Sequence, residues 1–438
     1  MTREKKHLYR RIKTKIETSE IATRMAHGAF WSFSGTALAK LVILLAGIAC
    51  AHVLGQKEYG EFNMVRSTIN LFIVFGAAGL GLTATKYIAQ FKTSDQEHVS
   101  SIYILTNFFA FGTGCLVTAA IFFLSPTLAN RTLNAPELTS TIQLGALLLF
   151  LAVIDSAQQG TLAGFEDFKS IAINTLVGSF SEAACMLIGG YFYGVNGAIL
   201  GYGCGFITLY VTNNIAIRRN LHTLQIRPHF SQLRKEDLKL LYTFSLPAAL
   251  SSIMIAPTYW IIRTMLVRNT SFSELAIYEA ADQWKTIILF IPTAVSQIVL
   301  PILSSIVHED QKKYKKILYY NISLNAIIAT ILSLIICIGS NFILSIYGKG
   351  FTNHWTLIFL AISTIFTSIS SVVGLSISSR SKMWTGFSFN ILWGIMAVLF
   401  SSIFLQNGLA STGISLAILC SYIIHAILQI IYLRHIIK

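Results

Sequence analysis

Gly28-Ala29-Phe30-Trp31-Ser32 opens an apolar run that continues to Val53 and carries a single charge, Lys40. A polar stretch follows, Leu54-Gly55-Gln56-Lys57-Glu58-Tyr59-Gly60-Glu61-Phe62, and then a second apolar run from Asn63 to Leu82 with one charge, Arg66. The second run loosens through Gly76, Gly79 and Gly81 and ends in Thr83-Ala84-Thr85-Lys86-Tyr87-Ile88-Ala89-Gln90-Phe91-Lys92. Two runs of about twenty apolar residues around a short turn predict a helical hairpin that crosses a bilayer twice. Each half places one cation where hydrocarbon would otherwise be.

The rest of the chain repeats this pattern. Hydrophobic residues make up 54% of 438 and charged residues 12%, with a mean hydropathy of +0.64. A soluble domain carries about a quarter charged residues, so the composition is that of a membrane protein. The net charge of +14 sits in short patches between apolar runs, which argues against nucleic acid as a partner. Cys50, Cys115, Cys185, Cys204, Cys337 and Cys420 all lie inside apolar runs at no metal-ligand spacing and read as packing residues. No Gly-x-x-x-x-Gly-Lys-Ser/Thr loop is present, no metal site is expected and no cofactor is implied.

Twelve spans are predicted, at 29–53, 63–82, 100–124, 140–163, 170–193, 195–217, 241–267, 275–300, 318–344, 354–377, 384–405 and 411–433. The longest internal connection, Arg218 to Leu240, is basic and follows the sixth span. The expected architecture is therefore an all-α membrane protein of twelve transmembrane helices in two six-helix lobes, 28–217 and 241–438. A cytosolic linker, 218–240, joins them, and a basic cytosolic segment, 1–27, precedes them. That first segment lacks the apolar core and cleavage site of a signal peptide. With the N-terminus inside, 25 of the 33 Lys and Arg residues fall on cytosolic segments and four on outer ones. This asymmetry predicts that both termini are cytosolic.

The hairpin also carries a resemblance. Gly28-x-x-x-Ser32, Leu54-Gly55-x-x-x-Tyr59-Gly60-x-Phe62, and Gly79-Leu80-Gly81-Leu82 before Lys86-Tyr87-Ile88-Ala89 resemble the polysaccharide repeat-unit flippases. These are the O-antigen and teichoic-type translocases of the multidrug/oligosaccharidyl-lipid/polysaccharide exporter (MOP) superfamily. The resemblance implies a flippase in the bacterial cytoplasmic membrane that turns an undecaprenyl-diphosphate-linked oligosaccharide to the outer leaflet for surface polysaccharide synthesis. It implies no enzyme activity. Lipid-linked oligosaccharide, membrane lipids and other polysaccharide assembly proteins are the implied partners.

Ionised groups inside spans cost about 2.5–3.5 kcal/mol or more at the bilayer centre, so they face protein or water and mark function. Lys40 and Lys285 lie near the middle of their spans; Asp155, Glu182 and Asp282 are also well inside. Arg66 and Arg263 are a turn or so from the outer end, where snorkelling is the alternative reading. Asp282 and Lys285, three residues apart, are read either as functional or as a self-neutralising pair. Asp155 and Glu182 are read either as functional or as packing groups. Lys40 has no acid on its own span and is the strongest pointer. Glu279 lies nearer the outer end, where simple hydration is the alternative reading.

Pro247, Pro257, Pro292 and Pro301 predict breaks in spans seven and eight. Trp31, Tyr87, Tyr191, Tyr193, Tyr347 and Trp355 fall at span ends as an interfacial belt, while Trp284 and Trp393 lie deeper. Lys40, Arg66, Arg263 and Lys285 predict a cationic cavity suited to a diphosphate, with Asp155, Glu182 and Asp282 as candidates for coupling to H+ or Na+. A cation-exporting multidrug transporter of the same superfamily, and a membrane polymerase or glycosyltransferase, are the competing readings.

Overall fold

The computed structural model describes residues 20–77, 79–234, 236–240, 245, 254–306, 311–380 and 382–436. Residues 1–19 of the basic segment, and Pro247 with most of the first half of the predicted seventh span, lie outside the described residues. Every major element is a helix. They are α1 (Glu20–Ala77), α2 (Leu80–Phe91), α3 (Gln96–Thr127), α4 (Thr139–Gly164), α5 (Phe168–Thr223), α6 (Ile255–Asn269), α7 (Phe272–Ile306), α8 (Gln311–Ile338), α9 (His354–Ser379), α10 (Met383–Gln406) and α11 (Ala410–Ile436). Among the described residues, eight helices are long and apolar enough to cross a membrane. Neither α6, at 15 residues, nor α7, with Glu274, Glu279, Asp282 and Lys285 in its first half, is among them.

Two of the eight contain a break. The apolar stretches Phe30–Ala77 and Phe168–Thr223 are 48 and 56 residues long. At about 1.5 Å per residue each is more than twice as long as a ~30 Å hydrocarbon core. The break in α1 is Gly55 (φ 76°), and in α5 it is Tyr193-Gly194, with Gly194 at φ 57°. These are left-handed positions where a side chain would strain the backbone. The two halves of α5 lie side by side. Asn174 Nδ2 donates to Asn213 Oδ1 at 2.9 Å, and Thr208 Oγ1 donates to Ser181 Oγ at 2.8 Å, the pairing of an antiparallel hairpin.

The polar turn expected over residues 54–62 is far shorter than its sequence suggests. Only Gly55 leaves helical geometry, and the rest belongs to the second half of α1. Lys57 and Glu58 stay exposed, while the small and aromatic residues between them and Asn63 pack inward. A side chain at Gly60 would collide with the backbone carbonyl of Phe272 on α7, and Tyr59 and Phe62 are fully buried. The proline breaks are also milder than expected. Pro257 sits in the first turn of α6, where its missing N–H has no helical partner to lose. Helix α7 runs continuously through Pro292 and Pro301. The predicted ninth span divides at Gly339 into α8 and the short helix Ser340–Ser345.

The largest buried cluster joins both halves of the chain, from Tyr59, Phe62 and Met64 through Leu275–Ala281 to Tyr347 and Trp393. A smaller one ties α2, α3 and the end of α5 to Ile226 of the linker. The linker is pinned there: Asp237 accepts from His98 at 2.8 Å and from Ser101 at 2.6 Å, and Arg234 pairs with Asp95 at 3.0 Å. Large apolar side chains such as Leu116, Phe123 and Ile338 are exposed, as a lipid-facing surface requires.

Candidate functional site

A cavity of about 590 Å³ opens where α1 and α5 face α6 and α7. Its polar lining follows helical spacing. From the second half of α1 come Asn63, Arg66, Ser67 and Asn70, and from α7 come Glu279, Asp282, Gln283 and Thr286. Both sets run i, i+3, i+4, i+7, which puts each on one helical face. Thr36 and Lys40 enter from the first half of α1, Thr175 and Ser179 from α5, and Tyr259 and Arg263 from α6.

The charges are unequally satisfied. Arg66 lies 3.7 Å from Glu182 and 5.1 Å above the ring of Tyr202, whose hydroxyl donates to Asn70 Oδ1 at 2.9 Å. Arg263 is bonded through Nε to Glu279 and lies 3.4 Å from Asp282 Oδ2. Lys285 does not line the cavity. Its ammonium sits behind the wall, 2.9 Å from both Asp282 Oδ1 and the Tyr259 hydroxyl. Four cations therefore meet three carboxylates, and the surplus charge is Lys40, which forms no hydrogen bond or ion pair among the described residues.

Asp155 stands apart. It is 3% exposed on α4, away from the cavity lining, and neither carboxylate oxygen has a hydrogen-bond partner among the described residues; Gln158 Oε1, one turn on, is in the same condition. Among the described residues no cluster of His, Cys, Asp and Glu is arranged to hold a metal ion.

The chain from residue 25 to 307 matches the family model described as "Polysaccharide biosynthesis protein", more than half of its length. The chain belongs to that family. The match takes in every residue that lines the cavity. The EPS I polysaccharide export inner membrane protein EpsE of Ralstonia solanacearum is 20% identical over 87% of this chain and 87% of its own. The lipid III flippase of Escherichia coli (strain K12) is 22% identical over 64% of this chain and 67% of its own. In fold, a multidrug resistance MATE family transporter of the MOP superfamily, solved inward-facing, superposes with a TM-score of 0.78 at 15% identity, covering 91% of this chain and 94% of that one. A MOP superfamily transporter from Pyrococcus furiosus superposes at 0.73 and 15% identity, over 94% and 95%. This family member is thus a multi-pass membrane protein with the MOP transporter fold.

Two side chains lie elsewhere than their sequence positions suggested. Glu279 is buried against Arg263 at the cavity wall. Tyr347 is fully buried instead of lying in an interfacial belt. Its hydroxyl donates to Gln283 Oε1 at 3.0 Å while Gln283 Nε2 donates to Tyr59 at 2.7 Å. Both follow from α7 packing against α1 above the cavity, which hides the outer turn of each. Asn63, Asn70 and Gln283 escaped the charge-based reading because they are neutral. Their spacing from Arg66 and Asp282 was the available signal.

Proposed function

We propose that this family member is a flippase of the cytoplasmic membrane that carries an undecaprenyl-diphosphate-linked oligosaccharide from the inner to the outer leaflet for surface polysaccharide synthesis. The observation that carries the reading is the cavity between the two halves of the chain, where Lys40, Arg66 and Arg263 converge and positive charge exceeds negative. A diphosphate is the matching anion, since charge-assisted hydrogen bonds to phosphate oxygens are what Lys and Arg make best. The names of the curated relatives, a polysaccharide exporter and a lipid III flippase, point to the same class of cargo.

In this reading Lys40 is the first contact for the diphosphate. Arg66 and Arg263 turn to it by loosening Glu182 and Glu279, and Lys285 holds Asp282 in place from behind. The chain has twelve spans in lobes 28–217 and 241–438 joined by linker 218–240, with both termini cytosolic. Counting the halves of α1 and α5 separately gives ten apolar spans, and α6 and α7 bring the number to twelve. Alternating access is coupled to H+ or Na+, and Asp155, with no partner for its oxygens among the described residues, is the leading carrier ahead of Glu182 and Asp282.

A second reading, export of cationic drugs, is favoured by Glu182, Glu279 and Asp282 and by the MATE fold. The charge balance argues against it, because each of those carboxylates is already matched by a cation. Growth of a strain whose own gene is replaced separates the two. Lys40→Gln should abolish surface polysaccharide while the protein stays in the membrane, with drug tolerance unchanged. Normal polysaccharide with lost drug tolerance would select the second reading.

A further inference from the structure

Where α5 runs into the linker, the chain forms a second cavity, of about 770 Å³, that shares no lining residue with the first. Arg218 and His222 enter it from α5, one turn apart, and Arg227 enters from the chain beyond the helix. Leu221 and Ile226, both buried, supply apolar surface.

The backbone fixes this turn. Gln225 takes a left-handed conformation, φ 56°, which reverses the chain at the helix end. Ile226 N donates to the carbonyl of Leu221 at 2.9 Å, Gln225 N to that of His222 at 3.1 Å and Leu224 N to that of Asn220 at 3.0 Å. Gln96, at the start of α3, donates to the carbonyl of Leu224 at 2.8 Å. Bare carbonyls at a helix C-terminus repel an anion, and here those of Asn220, Leu221, His222 and Leu224 each accept a hydrogen bond.

The charge of the pocket is unbalanced. No carboxylate lines it. Neighbouring arginines are matched, Arg219 by Asp167 at 3.0 Å and Arg234 by Asp95 at 3.0 Å. Arg218 and Arg227 are exposed and form no ion pair or side-chain hydrogen bond among the described residues. Two guanidiniums and an imidazole around a cavity suit a phosphate, whose oxygens accept paired N–H bonds from arginine.

The rest of α5 indicates what carries that phosphate. Ile207, Val211 and Ile215 are exposed. They are spaced by four, and Arg218 and His222 follow at three and four, so all five lie on one face of the helix. The predicted span 195–217 bears no charge and ends one residue before Arg218. An apolar stripe leading to unpaired arginines at the bilayer edge has the division of a phospholipid, with acyl chains on the stripe and phosphate at its end. A zwitterionic headgroup would bring an ammonium for which the pocket holds no carboxylate, so an anionic headgroup is the better match.

We propose that the pocket at the linker end of α5 binds the phosphate of an anionic phospholipid whose acyl chains lie along the stripe of Ile207, Val211 and Ile215. The lipid bridges α5 and the linker across the turn, and the site does not depend on what the central cavity carries.

The test is native mass spectrometry of purified full-length protein in detergent, titrated with phosphatidylglycerol, phosphatidylcholine or inorganic phosphate. The wild type should bind phosphatidylglycerol more tightly than either of the others. Arg218→Gln and Arg227→Gln should each weaken that binding about fivefold, the usual contribution of a basic residue at an anionic membrane surface, and leave phosphatidylcholine binding unchanged. Arg227 lies beyond the helix, so Arg227→Gln carries the comparison if Arg218→Gln does not fold. Phosphatidylglycerol binding equal in wild type and both variants would overturn the proposal. So would its loss in Lys40→Gln but not in the arginine variants, which would put the lipid in the central cavity. Inorganic phosphate bound as tightly as phosphatidylglycerol, and lost in the arginine variants, would make the pocket a free-anion site and overturn the lipid assignment.

Discussion

Lys40 shows how little is needed to give a cavity its sign. Around it every other charge has a partner, with Arg66 on Glu182, Arg263 on Glu279 and Asp282, and Lys285 on Asp282. A hydrogen bond from a charged group contributes about 1.5–3 kcal/mol. Lys40→Gln should therefore weaken binding of a diphosphate-bearing lipid roughly ten- to hundredfold. Lys40→Arg, which keeps the charge with altered geometry, should retain part of it. Both are read by equilibrium binding of the purified protein. Arg263 poses a different case, because its charges are matched within the protein. Removing one member of a buried pair costs about 3–5 kcal/mol, much more than replacing both with apolar groups. Arg263→Met should lower thermal stability in detergent sharply, and adding Glu279→Leu should restore most of it. An additive loss would mean that the pair is hydrated. The cations of this site were legible in the sequence because a charge inside an apolar run is conspicuous. Its neutral members, Asn63, Asn70 and Gln283, were not, because a carboxamide in such a run draws attention only once the face it shares is known.

Among the elements, α1 and α5 are hairpins written as single helices, each hinged on one or two residues. The apolar runs of these two elements were legible as helix, but the stretch 54–62 was misjudged: Gln56, Tyr59 and Gly60 face α7 and the loop after α8, while Lys57 and Glu58 stay exposed. Composition says that a segment is polar, not that the aromatic residues within it are turned inward. The proline expectation failed for a related reason: a proline removes one hydrogen bond and bends a helix, and the helix resumes when its neighbours hold it. The N-terminal end of α5 gives a prediction of its own. Asp167 caps its first turn, accepting from Ser170 N at 3.1 Å, from Arg219 at 3.0 Å and from Asn220 at 2.8 Å. Burial pushes the Asp167 carboxyl up, but the bonds from Asn220, Ser170 and Arg219 outweigh it and hold it below the usual carboxylate range. A depressed carboxylate contributes stability that is present above its ordinary value and lost as pH falls through the folded one. Asp167→Ala should cost about 1 kcal/mol at neutral pH, the usual value of an N-cap. That difference from wild type should vanish in melts run at pH values below the folded value; a constant gap down to that acidity would show that the charge plays no part.

For the whole molecule, the six-plus-six reading rests on where the cations and the long linker fall, and the structure adds the seam between α1 and α7. A reporter active only outside the membrane should work when fused after Gln406 and fail when fused after Lys438; the reverse pattern would invert the orientation. Above the cavity the seam is closed by Gln283 between Tyr59 and Tyr347, and by Gln56, which donates to the carbonyls of Ser273 and Gly350. Below it, Phe33 stacks on Phe290 at 5.0 Å. The cargo of a flippase must pass this seam while its diphosphate stays on the cations. The most direct test of that claim is translocation of a fluorescent undecaprenyl-diphosphate-linked oligosaccharide in reconstituted vesicles, followed by quenching from the outside. Wild-type protein should move the lipid between leaflets, and the Lys40→Gln, Arg66→Gln double variant, incorporated equally well, should leave it where it started. Transport by the double variant at the wild-type rate would contradict the account.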